Sequence, residues 1–276
     1  MPIRQLNDEG REDWGGFELA IAGSTHVGRI RKTNQDAFDR FDDDDRGEIL
    51  LVVADGMGGH RGGEVASRMA VGTLGNLFRE GDGDPAARLA AAIERANFEI
   101  HKLAKKDRTL KGMGTTVVAL LLCKDGPSFV VHVGDSRLYR LRAGELEVLT
   151  EDHSVVTLLL QRGDITPEEA VNHPKQNQLM RAVGIWDEVE PDIASLDIHS
   201  GDSFILCSDG LYGMLPDSEL KALAGRALDP HAVAAWMIDA ANQAGGKDNV
   251  TAMIAQIHEP TGTRSLTQDS RGKPRR

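Results

Sequence analysis

Five runs set the tightest limits on how this chain can fold: EILLVVAD (48–55), TTVVALLLC (115–123), SFVVHVGD (128–135), DSFILCSD (202–209) and NVTAMIAQI (249–257). A strand with one wet face alternates apolar and polar side chains. Most of these runs do not alternate, so they need cover on both faces. Five further segments read as strands: FELAIAG (17–23), DAFDRF (36–41), RLYRLRA (137–143), ELEVLT (145–150) and DIASLDI (192–198). Links as short as KDGP (124–127) and the Ala143-Gly144 turn leave room for antiparallel hairpins but not for crossovers. Aromatic residues make up only 4% of the chain, so Ala, Val, Leu and Ile must build the core.

Helices fall between sets of strands. Val65, Met69, Leu74 and Phe78 recur near the helical period within 63–78. Asp84-Pro85, Thr166-Pro167 and Asp229-Pro230 each put a capping residue before a proline at the first helical position. Thr166 with Glu169 also fits a capping box. Further helices are predicted over 154–162 and 218–228. Two stacked antiparallel sheets flanked by pairs of helices would bury this order of elements. The expected class is therefore α+β, a four-layer αββα sandwich. One domain is expected over 17–258, preceded by a loose polar arm (1–16) and followed by a disordered basic tail (259–276).

Charge narrows the function. Asp and Glu number 43 against 32 Lys and Arg, for a formal net charge of -11 over 276 residues. Such an excess of acid argues against nucleic acid, whose phosphates attract a basic footprint. No apolar stretch approaches the roughly 18 residues of a membrane span, and the N-terminal segment lacks the apolar core of a secretory signal. Cys123 and Cys207 have no CxxC spacing and read as buried thiols. The expected compartment is the cytoplasm.

Several aspartates stand where apolar runs start or stop. Asp55 closes 48–55 before Gly-Met-Gly-Gly-His, Asp135 closes 128–135, and Asp209 closes 202–209 before Gly210. Asp248 precedes the last strand and Asp36 opens the second. An ionised carboxylate leaving a core strand is costly unless it is paired, hydrogen-bonded or metal-bound. Asp-Gly after a strand is also the commonest hairpin signal, so Asp55-Gly56 or Asp209-Gly210 taken alone reads first as a turn. Five such sites on separate strands favour a shared role. An all-carboxylate set suits Mg²⁺ or Mn²⁺, and no HxH or HExxH pattern suggests zinc. Asp42–Asp45 reads as a solvated hairpin loop.

The motifs RKTNQDAF (31–38), VVADGMGGHRGGEVAS (52–67), GMGTTVVAL (112–120) and HVGDSRLYRL (132–141) form an ordered series. LTEDHS (149–154), RAVG (181–184), ILCSDGL (205–211) and GKDNVTAMI (246–254) continue it. In this series the chain resembles the metal-dependent Ser/Thr protein phosphatases (PPM/PP2C type) in their compact bacterial form, over roughly residues 17–257. The family fold is the sandwich the strand pattern suggests independently.

The resemblance implies a centre of two Mn²⁺ or Mg²⁺ ions. Asp55 bridges them, the Gly56 carbonyl ligates one, Asp209 and Asp248 complete the inner shell, and Asp36 acts through water. In that family, water activated between the ions attacks phosphorus directly. Arg31 matches the family's phosphate-holding arginine, whose planar fork grips two oxygens. Arg29 is the alternative, and a plain surface charge remains open for Arg31. His60 is a candidate general acid for the leaving oxygen, with an exposed loop histidine as the other reading. Asp135 matches a carboxylate holding a weak third ion, although it also has Arg137 as a nearby partner. Tyr212-Gly213 stands where many members carry an acid, so that ion would rely on Asp135 and water. His153 reads as a helix cap, and 152–178 corresponds to the family's flap.

The expected function is hydrolysis of phosphoserine and phosphothreonine monoesters on protein substrates, opposing a cognate Ser/Thr kinase. The chain is expected to be monomeric, with no nucleic-acid or membrane partner. The competing readings are a catalytically weak phosphoprotein-binding module and a metal-dependent phosphatase of small metabolites.

Overall fold

A computed structural model describes residues 4–6, 11–59, 61–171, 173–226 and 229–260. The first half runs β1 (Arg4–Leu6), β2 (Glu12–Trp14), β3 (Phe17–His26), β4 (Asp36–Asp43), β5 (Glu48–Met57), α1 (Gly62–Glu80) and α2 (Pro85–Lys106). It continues through β6 (Gly114–Thr115), β7 (Val117–Cys123), β8 (Ser128–Val133), β9 (Arg137–Arg142) and β10 (Glu145–Val148). Then come α3 (Val155–Gln161), α4 (Pro167–Val171), β11 (Asp192–Leu196), β12 (Ser203–Cys207), α5 (Asp209–Tyr212), α6 (Asp217–Ala224), α7 (Pro230–Gln243) and β13 (Val250–His258).

The strands form two antiparallel sheets, in the orders β1-β3-β13-β12-β9-β10 and β11-β8-β7-β5-β4. Alternation along each strand explains why the central runs are apolar throughout. In β5, Ile49, Leu51 and Val53 face the other sheet. Leu50, Val52 and Ala54 face α1 and α2. In β13, Met253, Ala255 and Ile257 point between the sheets, while Val250, Ala252 and Ile254 pack under α6 and α7. Three apolar layers thus separate four structural layers, and the expected αββα sandwich is the one observed.

The N-terminal segment departs from expectation. Residues 1–16 are expected to be loose, yet β1 and β2 both pair with β3, at Gly23–Thr25 and Phe17–Leu19 respectively. Trp14 buries its ring in the layer between the sheets, and β3 would otherwise present an open edge. The predicted strand 115–123 is split at Thr116, whose N–H and hydroxyl both serve Asp55 instead of a regular ladder. The tail from residue 261 onward lies outside the described residues.

Candidate metal centre

β4 and β5 of one sheet and β12 and β13 of the other bring their chemistry-bearing ends together. Asp36 and Asp55 are direct cross-strand partners in the β4–β5 register. Like charges directly opposite on neighbouring strands repel. Asp36 then reaches across to the second sheet: its Oδ2 accepts the Ser208 hydroxyl at 2.8 Å and the Thr251 hydroxyl at 2.6 Å. Those two residues flank Asp209 and Asp248 in sequence, so the hydroxyls stitch the acids of both sheets into one cluster. Asp55, Asp135, Asp209 and Asp248 line a single cleft of about 730 Å³, together with Gly56, Thr116 and Arg31.

Neither Asp-Gly pair is a hairpin turn. Asp55-Gly56 continues β5 beyond the point where β7 leaves it, and Asp209-Gly210 begins α5. The glycines are there for close approach: a Cβ on Gly56 would lie 2.0 Å from the Gly63 carbonyl oxygen, and one on Gly210 would lie 1.9 Å from that of Asn249. Backbone packed on backbone fixes α1 and β13 against the acid-bearing strands.

Electrostatics record the strain of this assembly. Burial pushes Asp55 well above the ordinary carboxylate range, and Asp36, Asp209, Asp135 and Asp248 push it further. Asp36 rises to about 7, chiefly through burial, although its hydroxyl donors pull the other way. Asp135 rises to about 7 through burial and Asp209. Asp209 rises to about 6 through burial and Asp248. Oδ1 of Asp36 and Oδ1 of Asp209 are buried without any hydrogen-bond partner. Orphaned anionic oxygens in an all-carboxylate cluster are the donor set hard divalent cations prefer, so the residues fit Mg²⁺ or Mn²⁺.

Arg31 lies on the cleft rim, half-exposed, with Nη2 donating to Asp248 Oδ2 at 2.6 Å. Arg29 does not line the cleft among the described residues. Asp135 is not paired with Arg137: that guanidinium grips Asp152 through two bonds of 2.9 and 2.7 Å and lies 3.8 Å over the Tyr212 ring. The Tyr212 hydroxyl donates instead to the Asp135 carbonyl at 2.9 Å. His60 lies outside the described residues.

His153 is no helix cap. Ser154 caps α3, accepting from the Thr157 N–H at 3.1 Å. His153 is buried, accepts the Gly134 N–H on Nδ1 at 3.2 Å and faces Asp192 Oδ2 across 3.1 Å. With His132 and Asp192 it forms a compact group of ligand-type atoms, but hydrogen bonds already use these atoms, including His132 Nε2 on the Glu151 carbonyl. The group clamps the start of the 152–178 segment to the loop carrying Asp135. From that segment, Asn177 and Gln178 reach the cleft, with Leu179 just beyond.

Sequence reasoning passes over Asn249. It is 4% exposed, donates to the carbonyls of Val27 and Thr33 at 2.9 Å each, and accepts the Gln35 N–H at 2.8 Å. One amide thereby shapes the loop that presents Arg31. A buried polar residue between Asp248 and an apolar strand was the available signal.

The fold and site are those of a two-sheet sandwich with carboxylates converging at one end of both sheets, a donor set for divalent cations. The model of the protein phosphatase 2C family matches residues 22–256, and this chain belongs to that family. It is 39% identical over 252 residues to the serine/threonine phosphatase stp of Listeria monocytogenes, covering 90% of this chain and 96% of the relative. Among solved structures, the serine/threonine phosphatase PstP/Ppp of Mycobacterium tuberculosis superposes with a TM-score of 0.78 at 37% identity, covering 87% of this chain and 99% of that one. The catalytic domain of PstP in complex with two manganese ions gives 0.76 at 36% identity, with coverage of 87% and 98%.

Proposed function

We propose that residues 17–258 form a protein phosphatase domain that hydrolyses phosphoserine and phosphothreonine monoesters with two Mn²⁺ or Mg²⁺ ions. The carrying observation is the five-carboxylate cluster with its unpartnered, buried Asp36 and Asp209 oxygens. Asp55, Asp209, Asp248 and the Gly56 carbonyl would hold the ions directly, and Asp36 through water. Such ions, when bound, would offset most of the cluster's charge and acidify water at neutral pH. Asp36 is pre-positioned by the hydroxyls of Ser208 and Thr251, so its free oxygen keeps one direction. Arg31 spends one nitrogen on Asp248, and its five-donor fork leaves N–H groups for phosphate oxygens. His60, five residues beyond Asp55 in sequence, is assigned the proton donated to the leaving oxygen. A third ion would draw on Asp135 without a carboxylate at Tyr212.

The cleft mouth supports protein substrates over small metabolites, because Ile30, Arg31 and Trp186 stand exposed on its rim. No helix among the described residues is long and apolar enough to cross a membrane. The proposal further includes a monomer working in the cytoplasm against a Ser/Thr kinase.

The purified protein with Mn²⁺ is expected to release phosphate from p-nitrophenyl phosphate and from phosphothreonine peptides, and chelation should stop it. Asp209→Asn should lower turnover more than about a hundredfold while the circular dichroism spectrum stays unchanged. Full activity in that variant would remove Asp209 from the metal shell.

A further inference from the structure

Trp186 and Ile30 are large apolar side chains left in solvent on the rim of the acidic cleft, 44% and 69% exposed. Both sit on backbone that is tied down. Gly184 adopts φ of +91°, where a Cβ would lie 2.2 Å from Ile100 Cγ2, so the turn before Trp186 packs onto α2. Asn97 of α2 accepts the Gly184 N–H at 2.6 Å and donates to the carbonyls of Trp186 and Asp187 at 3.1 and 3.2 Å. Lys105 adds a 2.8 Å ion pair with Asp187.

The same segment is registered to the acid cluster. Val183 and Thr115 exchange backbone hydrogen bonds of 2.9 and 2.8 Å, and Thr115 pairs in turn with Gly56. Trp186 therefore stands three residues beyond a ladder that begins beside Asp55. Ile30 belongs to the separate loop that Asn249 clasps at Val27 and Thr33, with Arg29 N–H held by the Gly246 carbonyl at 2.7 Å. Met57, Leu179, Ala182 and Ile185 continue the apolar lining inward. At about 730 Å³ the cleft holds far more than one phosphoryl group.

Exposed aromatic and aliphatic groups on tied-down backbone beside a polar centre are what an apolar anchor residue needs, since little backbone ordering entropy remains to be lost. We propose that Trp186 and Ile30 are specificity-determining residues that favour phosphopeptides carrying an aliphatic or aromatic side chain next to the phosphorylated residue. The proposal rests on the phosphatase reading of the cleft.

The test uses two phosphothreonine peptides that differ only in having leucine or serine at the residues flanking the phosphothreonine, assayed with Mn²⁺. The wild-type protein is expected to prefer the leucine peptide by about tenfold in kcat/KM, mostly through KM. Trp186→Ala and Ile30→Ser should each cut that preference to about threefold or less, and Trp186→Leu, which keeps an apolar wall, should retain most of it. Equal kcat/KM for the two peptides with an active wild-type enzyme overturns the inference alone, as does an undiminished preference in both Trp186→Ala and Ile30→Ser. Absence of phosphate release from p-nitrophenyl phosphate and from both peptides would instead overturn the phosphatase reading, and this inference with it.

Discussion

Asn249 donates to two carbonyls and accepts one N–H from three places on the β3–β4 connection. Asn249→Ala would strand all three groups, and an unsatisfied buried group costs about 1–3 kcal/mol. We expect a loss of about 2–4 kcal/mol in urea unfolding, accompanied by weaker Mn²⁺ binding because Asp248 is its neighbour. An unchanged midpoint would mean that water replaces the amide. At this scale the sequence marks the five aspartates well, because a carboxylate ending an apolar run is conspicuous. It cannot tell a turn from a ligand at Asp55-Gly56, because the same dipeptide serves both. The distinguishing contact, Gly63 against Gly56, lies on the following helix.

Among elements, the capping chemistry operates as its sequence signals suggest. Asp84 accepts the Ala87 N–H at 2.9 Å, Asp229 accepts the His231 N–H at 2.9 Å, and Thr166 and Glu169 satisfy each other's N–H groups. Asp84→Ala should destabilise the fold by about 0.5–2 kcal/mol, since α2 packs with α1 over one outer face of the sandwich. A chevron or urea titration reads this directly, and a change below 0.3 kcal/mol would mean that Pro85 alone starts the helix. The elements that escape sequence reading are β1, β2 and α5, each of three or four residues. Segments this short carry no usable period. The first two are strands only because β3 offers an edge, and the third is a helix only because Gly210 fits against β13.

For the molecule as a whole, the acid cluster sets a pH dependence with a definite sign. Asp36 and Asp135, raised to about 7, and Asp209, raised to about 6, bind protons in the folded state that the unfolded chain has already released. Their contribution is fully present below the ordinary carboxylate pKa near 4 and is lost as pH rises through about 6 to 7. His153 works in the opposite sense. Burial and its neighbour His132 lower it to about 4, so it costs stability as pH falls from about 6.5 toward 4. Burial lowers His132 and His258 in the same sense as His153, and the three raised carboxylates, with Asp55 raised as well, outweigh these histidines. The chelated protein should therefore have a higher Tm at pH 5.5 than at pH 8, and Mn²⁺ should raise Tm more at pH 8 than at pH 5.5. A chelated Tm that climbs steadily from pH 5.5 to 8 would contradict the clustering of these acids.

The amino-acid sequence on its own determined the longer strands, that most of the central ones are covered on both faces, where the longer helices start, and which acids end the strands. These are local properties, carried by side-chain periodicity and by capping residues within a few positions of one another. Only the tertiary structure decided which carboxylates meet. Asp36 and Ser208 are 172 residues apart and hydrogen-bond directly because two sheets stack with those ends aligned. The free energy that holds like charges together comes from the three apolar layers elsewhere in the sandwich, and nothing in the immediate sequence of any one aspartate records it.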